Sequence, residues 1–280
     1  MKIILSRKSF DSANGGMPSP IIDGKVFLPF PIPSKTDSVR YDSLTYLDKS
    51  YTDILRDLNK YFSEQTCHLD PDLKKDVILG RSSWIAAFGQ EDIAQRHLEK
   101  HKVKENDLFL FFGWFREAKE IGGIYRFKDN APDIHAIYGY LEVGTIIKNQ
   151  DTMKKFLPDH PHSTGIHKQP NCLYIAAPTL FGEPGIPGAG IFPFHEDLIL
   201  TELDKNKLPN NKILRSRWRK NFLNINGFSM TYHTNASIDN YFQSTARGQE
   251  FIIEPRPYEE FDDQALTKFK NWIISRIRNE

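Results

Sequence analysis

Three short stretches hold residue types that do chemistry. "SRKSFDSANGG", residues 6–16, sets Ser6, Arg7, Lys8, Asp11 and Ser12 ahead of Gly15 and Gly16. Two cations, hydroxyls and a carboxylate, followed by glycines that permit positive φ, suit a grip on a phosphate or a nucleotide sugar, because inward-turned backbone N–H groups add to the side-chain charge. The stretch is neither a Walker A loop nor a G-x-G-x-x-G fingerprint, and the same residues also build a salt-bridged turn at a strand end. In "CHLDPDL", residues 67–73, His68 and Asp70 stand two apart. On an extended backbone that spacing puts both on one face, as a metal pair or a base with its orienting acid requires. A D-P step is equally a common entrance to a helix or turn. "YFQSTARGQEF", residues 241–251, offers Gln243, Arg247 and Gln249 for contacts to base edges or phosphate, and Glu250 for proton transfer. It also reads as a polar bend between strands.

The histidines raise the question of a metal. "DHPHSTGIH" contributes His160, His162 and His167, and His97 with His101 are four apart on an expected helix. A zinc site wants three or four convergent ligands, and neither group has H-E-x-x-H or Cys-plus-His spacing. They are read as surface histidines, and no metal set or other cofactor is assigned. Phe112, Trp114, Tyr138 and Tyr140 suit an aromatic slot for a base, or plain core packing.

The elements that must position these residues are visible in the hydropathy pattern. "MKIIL" is an opening strand. "MPSPIIDGKVFLPFPIPS" is proline-rich and extended, with a short hairpin expected around Asp23 and Gly24. "SYTDILRDLNKYF" places Tyr51, Ile54, Leu55, Leu58 and Phe62 on one helical stripe behind a Ser50–Asp53 capping box. "EDIAQRHLEKHKV" is a second, weaker helix, and residues 259–279 form an amphipathic C-terminal docking helix. In "NDLFLFFGWF" both alternating faces are apolar, which predicts a strand buried on two sides, with "DIHAIYGYLEVGTII" as its partner. "NCLYIAA", "LILT" and "GQEFIIE" add short strands. Helices at the ends and strands in the middle, without regular alternation, predict an α+β fold with a central mixed or barrel-like sheet and flanking helices, in a single domain over 1–280.

Composition narrows the function classes. A 280-residue chain with 39% hydrophobic and 12% aromatic residues folds around a core without staples. Its net charge of +1 supplies no global field toward a polyanion, so any nucleic-acid contact must be a local patch. The two cysteines, Cys67 and Cys172, show no C-x-x-C spacing and read as buried thiols in a reducing compartment. No apolar run approaches the length of a membrane span, and the reading is a soluble, cytoplasmic protein with no membrane partner.

Taken together, the segments resemble the nucleotide modification associated family, third type, a bacterial and phage family linked to DNA-base modification gene clusters. The likeness rests on "SRKSFDS" with "GG" and "PSP", "CHLDPD", "FGQ" with Gln90 and then Gln95 with the following "HL", and "DLFLFFGWF" with Arg116. It continues through "DIHAIYGYL", "HPH", "GAGIF", "SRW" and "DNYFQSTARGQEF", from residue 1 to about 254. Ser9 departs from the pattern, where glycine is expected, and so does Met17, where a cysteine or small apolar residue is common. A weaker likeness, through one strand pair, is to PUA-like folds such as the EVE and ASCH domains, whose small barrel accepts a base in its cleft.

What the resemblance implies is a nucleotide or nucleic-acid ligand carrying a modified base, and partner proteins from such a cluster. It names no reaction. The leading reading is an enzyme acting on a nucleotide or on a base in DNA. Arg7 and Lys8 would neutralise phosphate, Asp11 or Glu250 would do acid/base work, His68 (beside Asp70) or His135 would shuttle a proton, and Gln90, Gln249 and Arg247 would orient the base. The competing reading is a reader that binds a modified base without altering it, through Trp114, Tyr138 and Arg116. A third is a structural subunit with scattered polar groups. Both ligand readings place the segments near residues 7 and 247 around one hollow.

Overall fold

The computed structural model of the chain describes residues 1–81, 84–219, 228–230, 250–255 and 263–279. Numbered along the chain, the strands are β1 (Ile3–Arg7), β2 (Ser19–Ile22), β3 (Val26–Phe27), β4 (Ile32–Pro33), β5 (Thr45–Tyr46), β6 (Lys49–Ser50) and β7 (Cys67–His68). They continue as β8 (Ala87–Glu91), β9 (Leu108–Ile121), β10 (Ile124–Phe127), β11 (Ile134–Ile147), β12 (Asn171–Ala176), β13 (Ala189–Ile191), β14 (Phe228–Met230) and β15 (Glu250–Pro255). Among the described residues the α-helices are α1 (Tyr51–Leu58), α2 (Asp92–Lys100), α3 (Gln150–Phe156) and α4 (Asp263–Arg278).

The long antiparallel pair β9–β11 is the spine, and it falls where the two apolar runs predict it. Both faces of Leu108–Phe112 are buried, which explains the absence of hydrophobic alternation there. Around this pair the sheet runs β14-β15-β1-β9-β11-β12-β8, with β2, β3, β10 and β13 attached alongside. β1 and β2 lie parallel to β9, while the β15, β11 and β12 pairings are antiparallel, so the sheet is mixed. It is not closed into a barrel: β14 and β8 end its main path without pairing to each other among the described residues. The barrel-like form of the sequence expectation is thereby corrected, and with it the closed cleft of a PUA-like fold. "LILT" is corrected too. Residues 196–198 form a 3-10 turn, and Ile199 and Thr201 each make an isolated bridge rather than a ladder.

Local chemistry explains the surrounding elements. Asp23 and Gly24, at φ 50° and 64°, supply the paired positive φ values that close the β2–β3 hairpin. Ser50 caps α1 by accepting from the Asp53 N–H at 3.1 Å and donating to Asp53 Oδ2 at 2.7 Å. The helix stops at Leu58, earlier than the stripe suggested, but Phe62 still reaches the core and stacks on Phe10. α4 docks through Phe269 and Ile273, and its Arg276 reaches His195 Nε2 at 2.6 Å and Asp197 Oδ2 at 3.3 Å. The two thiols are buried and free, as their lack of motif spacing implied.

β1 and β2 pair in succession with one edge of β9, at residues 108–112 and 115–118. The opening loop is therefore an excursion thrown out between two segments of nearly continuous edge. Its base is tied by Lys8 N–H donating to Phe112 O at 2.9 Å and by a Ser9–Ser19 hydroxyl pair at 2.7 Å. Gly113 is what lets it leave, because a Cβ there would lie 2.6 Å from the Lys8 carbonyl oxygen. Gly113→Ala is expected to force the backbone at Lys8 outward and to cost about 1–3 kcal/mol, as overpacking typically does. A urea midpoint equal to that of the parent protein would contradict this.

Candidate functional site

Asp70 organises the most unusual group of side chains in the molecule. Its carboxylate is fully buried, and Oδ1 accepts the Gly89 N–H of β8 at 2.6 Å. Around it stand Lys8 from the end of β1, His68 from β7, and His160 and His162 from the 3-10 turn at 161–163. Lys8 Nζ lies 3.5 Å from Oδ2, His162 Nε2 3.9 Å and His68 Nε2 4.0 Å, while His160 Nε2 lies 3.6 Å from Oδ1. None of these contacts has hydrogen-bond geometry, and both Asp70 Oδ2 and His160 Nε2 are buried without a hydrogen-bond partner. Natural interiors rarely leave such atoms unsatisfied.

The outer partners fix which nitrogen of each ring carries its proton. Asn171 donates through Nδ2 to Gln150 Oε1 at 3.0 Å and to His162 O at 2.9 Å, so its Oδ1 must be the atom facing His162 Nδ1 at 2.7 Å. His162 Nδ1–H is then the donor, and its Nε2 presents a lone pair to Asp70. His68 donates Nδ1–H to Asp37 Oδ2 at 2.9 Å, so its Nε2 is the nitrogen turned inward. His160 is the reverse: its Nδ1 accepts the His162 backbone N–H at 3.2 Å, which leaves an Nε2–H aimed at Asp70 Oδ1. Oδ1 is thus approached by donors, whereas Oδ2 confronts two imidazole Nε2 atoms and one ammonium.

Electrostatics follow from this burial. Burial pushes His160 down to about 3 and His162 down to about 4, so both are neutral near pH 7. Burial also drives the Asp70 carboxyl upward, but Lys8 and the imidazoles outweigh it and hold the group below the usual carboxylate value. With His160 and His162 neutral, the Lys8 ammonium is the principal charge that does so. Gly89 is essential to the packing, because a Cβ on it would fall 2.1 Å from the His162 ring. His68 and His162 open onto a pocket of about 540 Å³, whose walls also include Lys8, Asp37, Gln90 and Glu91. That size lies within the ordinary range for small-molecule sites.

Residues 2–254 match the family model described as nucleotide modification associated domain 3. The chain belongs to that family. No curated protein and no solved structure matches it. Ser9, where the resemblance implied glycine, sits at φ 78°, a backbone conformation in which glycine is the favoured residue.

Within this family member the sequence candidates separate into distinct places. Lys8, His68 and Gln90 line the pocket just described, with Asp70 buried behind His68 and His162. Arg7, Asp11, Ser12, Trp114 and His135 meet in a second hollow of about 190 Å³, with the Arg215 guanidinium 3.8 Å above the Trp114 ring. Arg7 and Lys8 are adjacent along a strand and so turn to opposite faces, which splits the opening loop between two sites. Asp11 accepts the Ala13 and Asn14 N–H groups at 2.7 and 2.8 Å, and Gly15 and Gly16, at φ 88° and 70°, complete that turn rather than a phosphate cradle. Ser6 is buried within β1.

The aromatic slot is not formed. Phe112 packs with His135 and Trp218, and Tyr138 packs with Phe111 and Phe115 on the other side of the sheet. Gln95 is buried beneath α2 and accepts from Tyr174 OH at 3.0 Å, and Arg116 pairs with Asp133 at 2.9 Å, so neither reaches a pocket wall. At the far end of the chain, the backbone of Glu250 lies opposite Ser6 in the β1–β15 ladder. Gln243, Arg247 and Gln249 fall outside the described residues. His160 and His162, read from spacing as surface residues, are instead buried, because the H-P-H turn folds inward against β8 and β12. The missed signal was the neighbouring "PNC", whose Asn171 holds His162. His167 stays at the rim, bound to Glu91 Oε2 at 3.0 Å.

His135 is a neutral core histidine, with Nδ1 accepting the Trp218 indole N–H at 3.1 Å and burial lowering it from 6.5 to about 3. Between those values the unfolded chain binds a proton that the folded chain refuses, so this contribution to stability is complete above pH 6.5 and is lost as pH falls toward 3. The slope per proton is about 1.4 kcal/mol per pH unit. In His135→Gln, which keeps an acceptor without a titrating ring, urea midpoints between pH 6.5 and 4.5 are expected to fall less steeply than in the parent; parallel slopes would refute the assignment.

Proposed function

We propose that this protein is an enzyme acting on a nucleotide or on a base in DNA, with the Asp70–histidine cluster as its reacting centre. Membership of the family supplies the association with nucleotide modification. The observation that carries the catalytic reading is Asp70 Oδ2, a buried carboxylate oxygen with no hydrogen-bond partner, facing two imidazoles at the wall of an open pocket. Clusters in which burial and neighbouring charges shift several titrating groups at once mark functional sites more often than structural ones.

The roles follow from position. His68 is the partly exposed member, and Asp37 on its Nδ1 orients the ring, so its Nε2 accepts or returns the proton of a substrate group in the pocket. Asp70, buried beneath it, stabilises the imidazolium that forms. Lys8 lies at the junction of cluster and pocket, with its ammonium 4.5 Å above the Phe88 ring, and meets an anionic group of the ligand. Gln90 supplies amide contacts to a base edge from the same wall. The reader alternative places a base against Trp114 in the smaller hollow, but Arg215 already covers that ring face.

A panel of nucleotides and of oligonucleotides with modified and unmodified bases, incubated with the full chain and analysed by mass spectrometry, tests the reading. A mass change in one class of substrate is expected, falling about 10²–10⁴-fold in His68→Ala and in Asp70→Asn. Unaltered masses throughout, together with selective retention of modified DNA, would instead make this chain a reader.

A further inference from the structure

We propose that His68 Nε2, Asp70 Oδ2 and His162 Nε2 together hold one divalent first-row transition-metal ion, with the remaining coordination positions open to the pocket. The inference rests on the enzymatic reading above for the meaning of the site and revises one role in it: with an ion bound, the His68 Nε2 lone pair is a ligand and no longer the proton acceptor. The three ligand atoms lie within 4.8 Å of one another. Donors bound to one such ion at ordinary lengths are roughly 3–3.5 Å apart, so the carboxylate–imidazole distances of 3.9 and 4.0 Å need to close by roughly 0.4–1 Å.

The tautomers favour a cation more strongly than the distances do. Two imidazole Nε2 atoms and a carboxylate oxygen without a hydrogen-bond partner converge, and the cation beside them, Lys8, stands 3.5 Å from Oδ2 without hydrogen-bond geometry. Each ring is fixed from behind, His68 by the Asp37 carboxylate and His162 by the Asn171 carbonyl, the outer arrangement that metal-bound histidines usually show. Asp70 is held in turn through its other oxygen by Gly89 N–H, which leaves Oδ2 as the ligand. Two nitrogens and one carboxylate oxygen on one side of an ion suit iron(II), manganese(II), cobalt(II) or zinc better than magnesium or calcium, which prefer all-oxygen sets.

Two competing accounts use the same residues. Lys8 alone neutralises the Asp70 charge, but Nζ lies 3.5 Å from Oδ2 without hydrogen-bond geometry, and it sits beside the pocket where a ligand anion would draw it away. Glu91, His162 and His167 form a second group of suitable spacing. There, however, His167 turns Nδ1 to Glu91 Oε2 and Nε2 to the Pro161 and Thr164 carbonyls, so both ring nitrogens already face oxygen partners. A bound cation would also offset the acids at the pocket wall, Asp37, Glu91 and Asp92, which otherwise disfavour a phosphate there. A metal in this position would polarise an oxygen of a ligand or water held against it.

The test uses the full chain stripped with a chelator and titrated with cobalt(II) alone, read by calorimetry and by the visible d–d absorption of the ion. One cobalt per chain is expected, with affinity reduced at least about tenfold in Asp70→Asn and in His68→Gln and changed less than about twofold in Glu91→Gln. His68 is partly exposed, so His68→Gln decides the matter should Asp70→Asn fail to fold. No stoichiometric uptake, or uptake abolished by Glu91→Gln but unaffected by His68→Gln, overturns the site. The two proposals fail separately. Nucleotide turnover by a chain that binds no cobalt removes the metal and leaves the acid/base centre; cobalt bound by the triad with no substrate ever altered removes the enzyme and leaves the metal.

Discussion

The molecule's defining constraint is the burial of one carboxylate. Removing an ionised Asp from water costs several kcal/mol unless charge and hydrogen bonds replace its hydration. Asp70 receives one strong backbone hydrogen bond on Oδ1 and an ammonium at 3.5 Å, yet Oδ2 is left short of partners. Much of the local architecture is arranged around that oxygen. Gly89 lacks a side chain so that His162 can approach, Asn171 and Gln150 form an amide chain that turns His162, and the β4–β7 pair delivers His68 beside it. A core built for stability alone would replace such a group with apolar residues.

The sheet then decides what the opening loop can do. Because β1 enters parallel to β9 with its neighbours on alternate faces, Arg7 and Lys8 are separated by the thickness of the sheet although they are consecutive in sequence. On the Lys8 side the strand meets Phe88, Asp70 and the histidines; on the Arg7 side it meets Trp114, His135 and Arg215. One polar loop therefore serves two environments. Phe10, buried against Phe30, Tyr41 and Phe62, anchors the loop to the second hydrophobic cluster and keeps that division rigid.

The β9–β11 pair, the D-G hairpin, the capped α1 and the docking helix were legible in the sequence because each depends on local periodicity or on one turn's chemistry. His68 and Asp70 were legible as a pair because they stand two apart in sequence, although a tight turn that ties the Asp70 N–H to His68 O at 2.9 Å, rather than a continued strand, joins them. The rest of the site was not. His160 and His162 reach Asp70 across some 90 residues of chain, through a turn whose H-P-H spacing matches no zinc motif, and only the tertiary fold reveals their convergence. The aromatic slot failed through register: Ile137, not Tyr138, lies opposite Phe112, so Tyr138 falls on the other face, and no window of sequence sets the register of a strand pair. Gln95 misled because an amide on an amphipathic helix looks the same whether it meets a ligand or a buried tyrosine.

The arrangement of donors and acceptors separates catalysis from recognition. A pocket that only reads a base needs fixed groups complementary to that base's edge, each satisfied by the ligand and by little else. Here the groups gathered behind the pocket wall include two imidazole Nε2 atoms and an unpartnered carboxylate oxygen, an arrangement complementary to a positive centre that the Lys8 ammonium, 3.5 Å away, meets only in part. Their orientation is imposed by neighbours that would not need to be so exact for a core. Gly89 holds Oδ1, Asn171 and Asp37 turn the rings, and His160 supplies a donor on the far side. Such preorganisation toward a positive charge beyond the one Lys8 already supplies is what a reacting centre requires, because the environment is already in place when that charge appears.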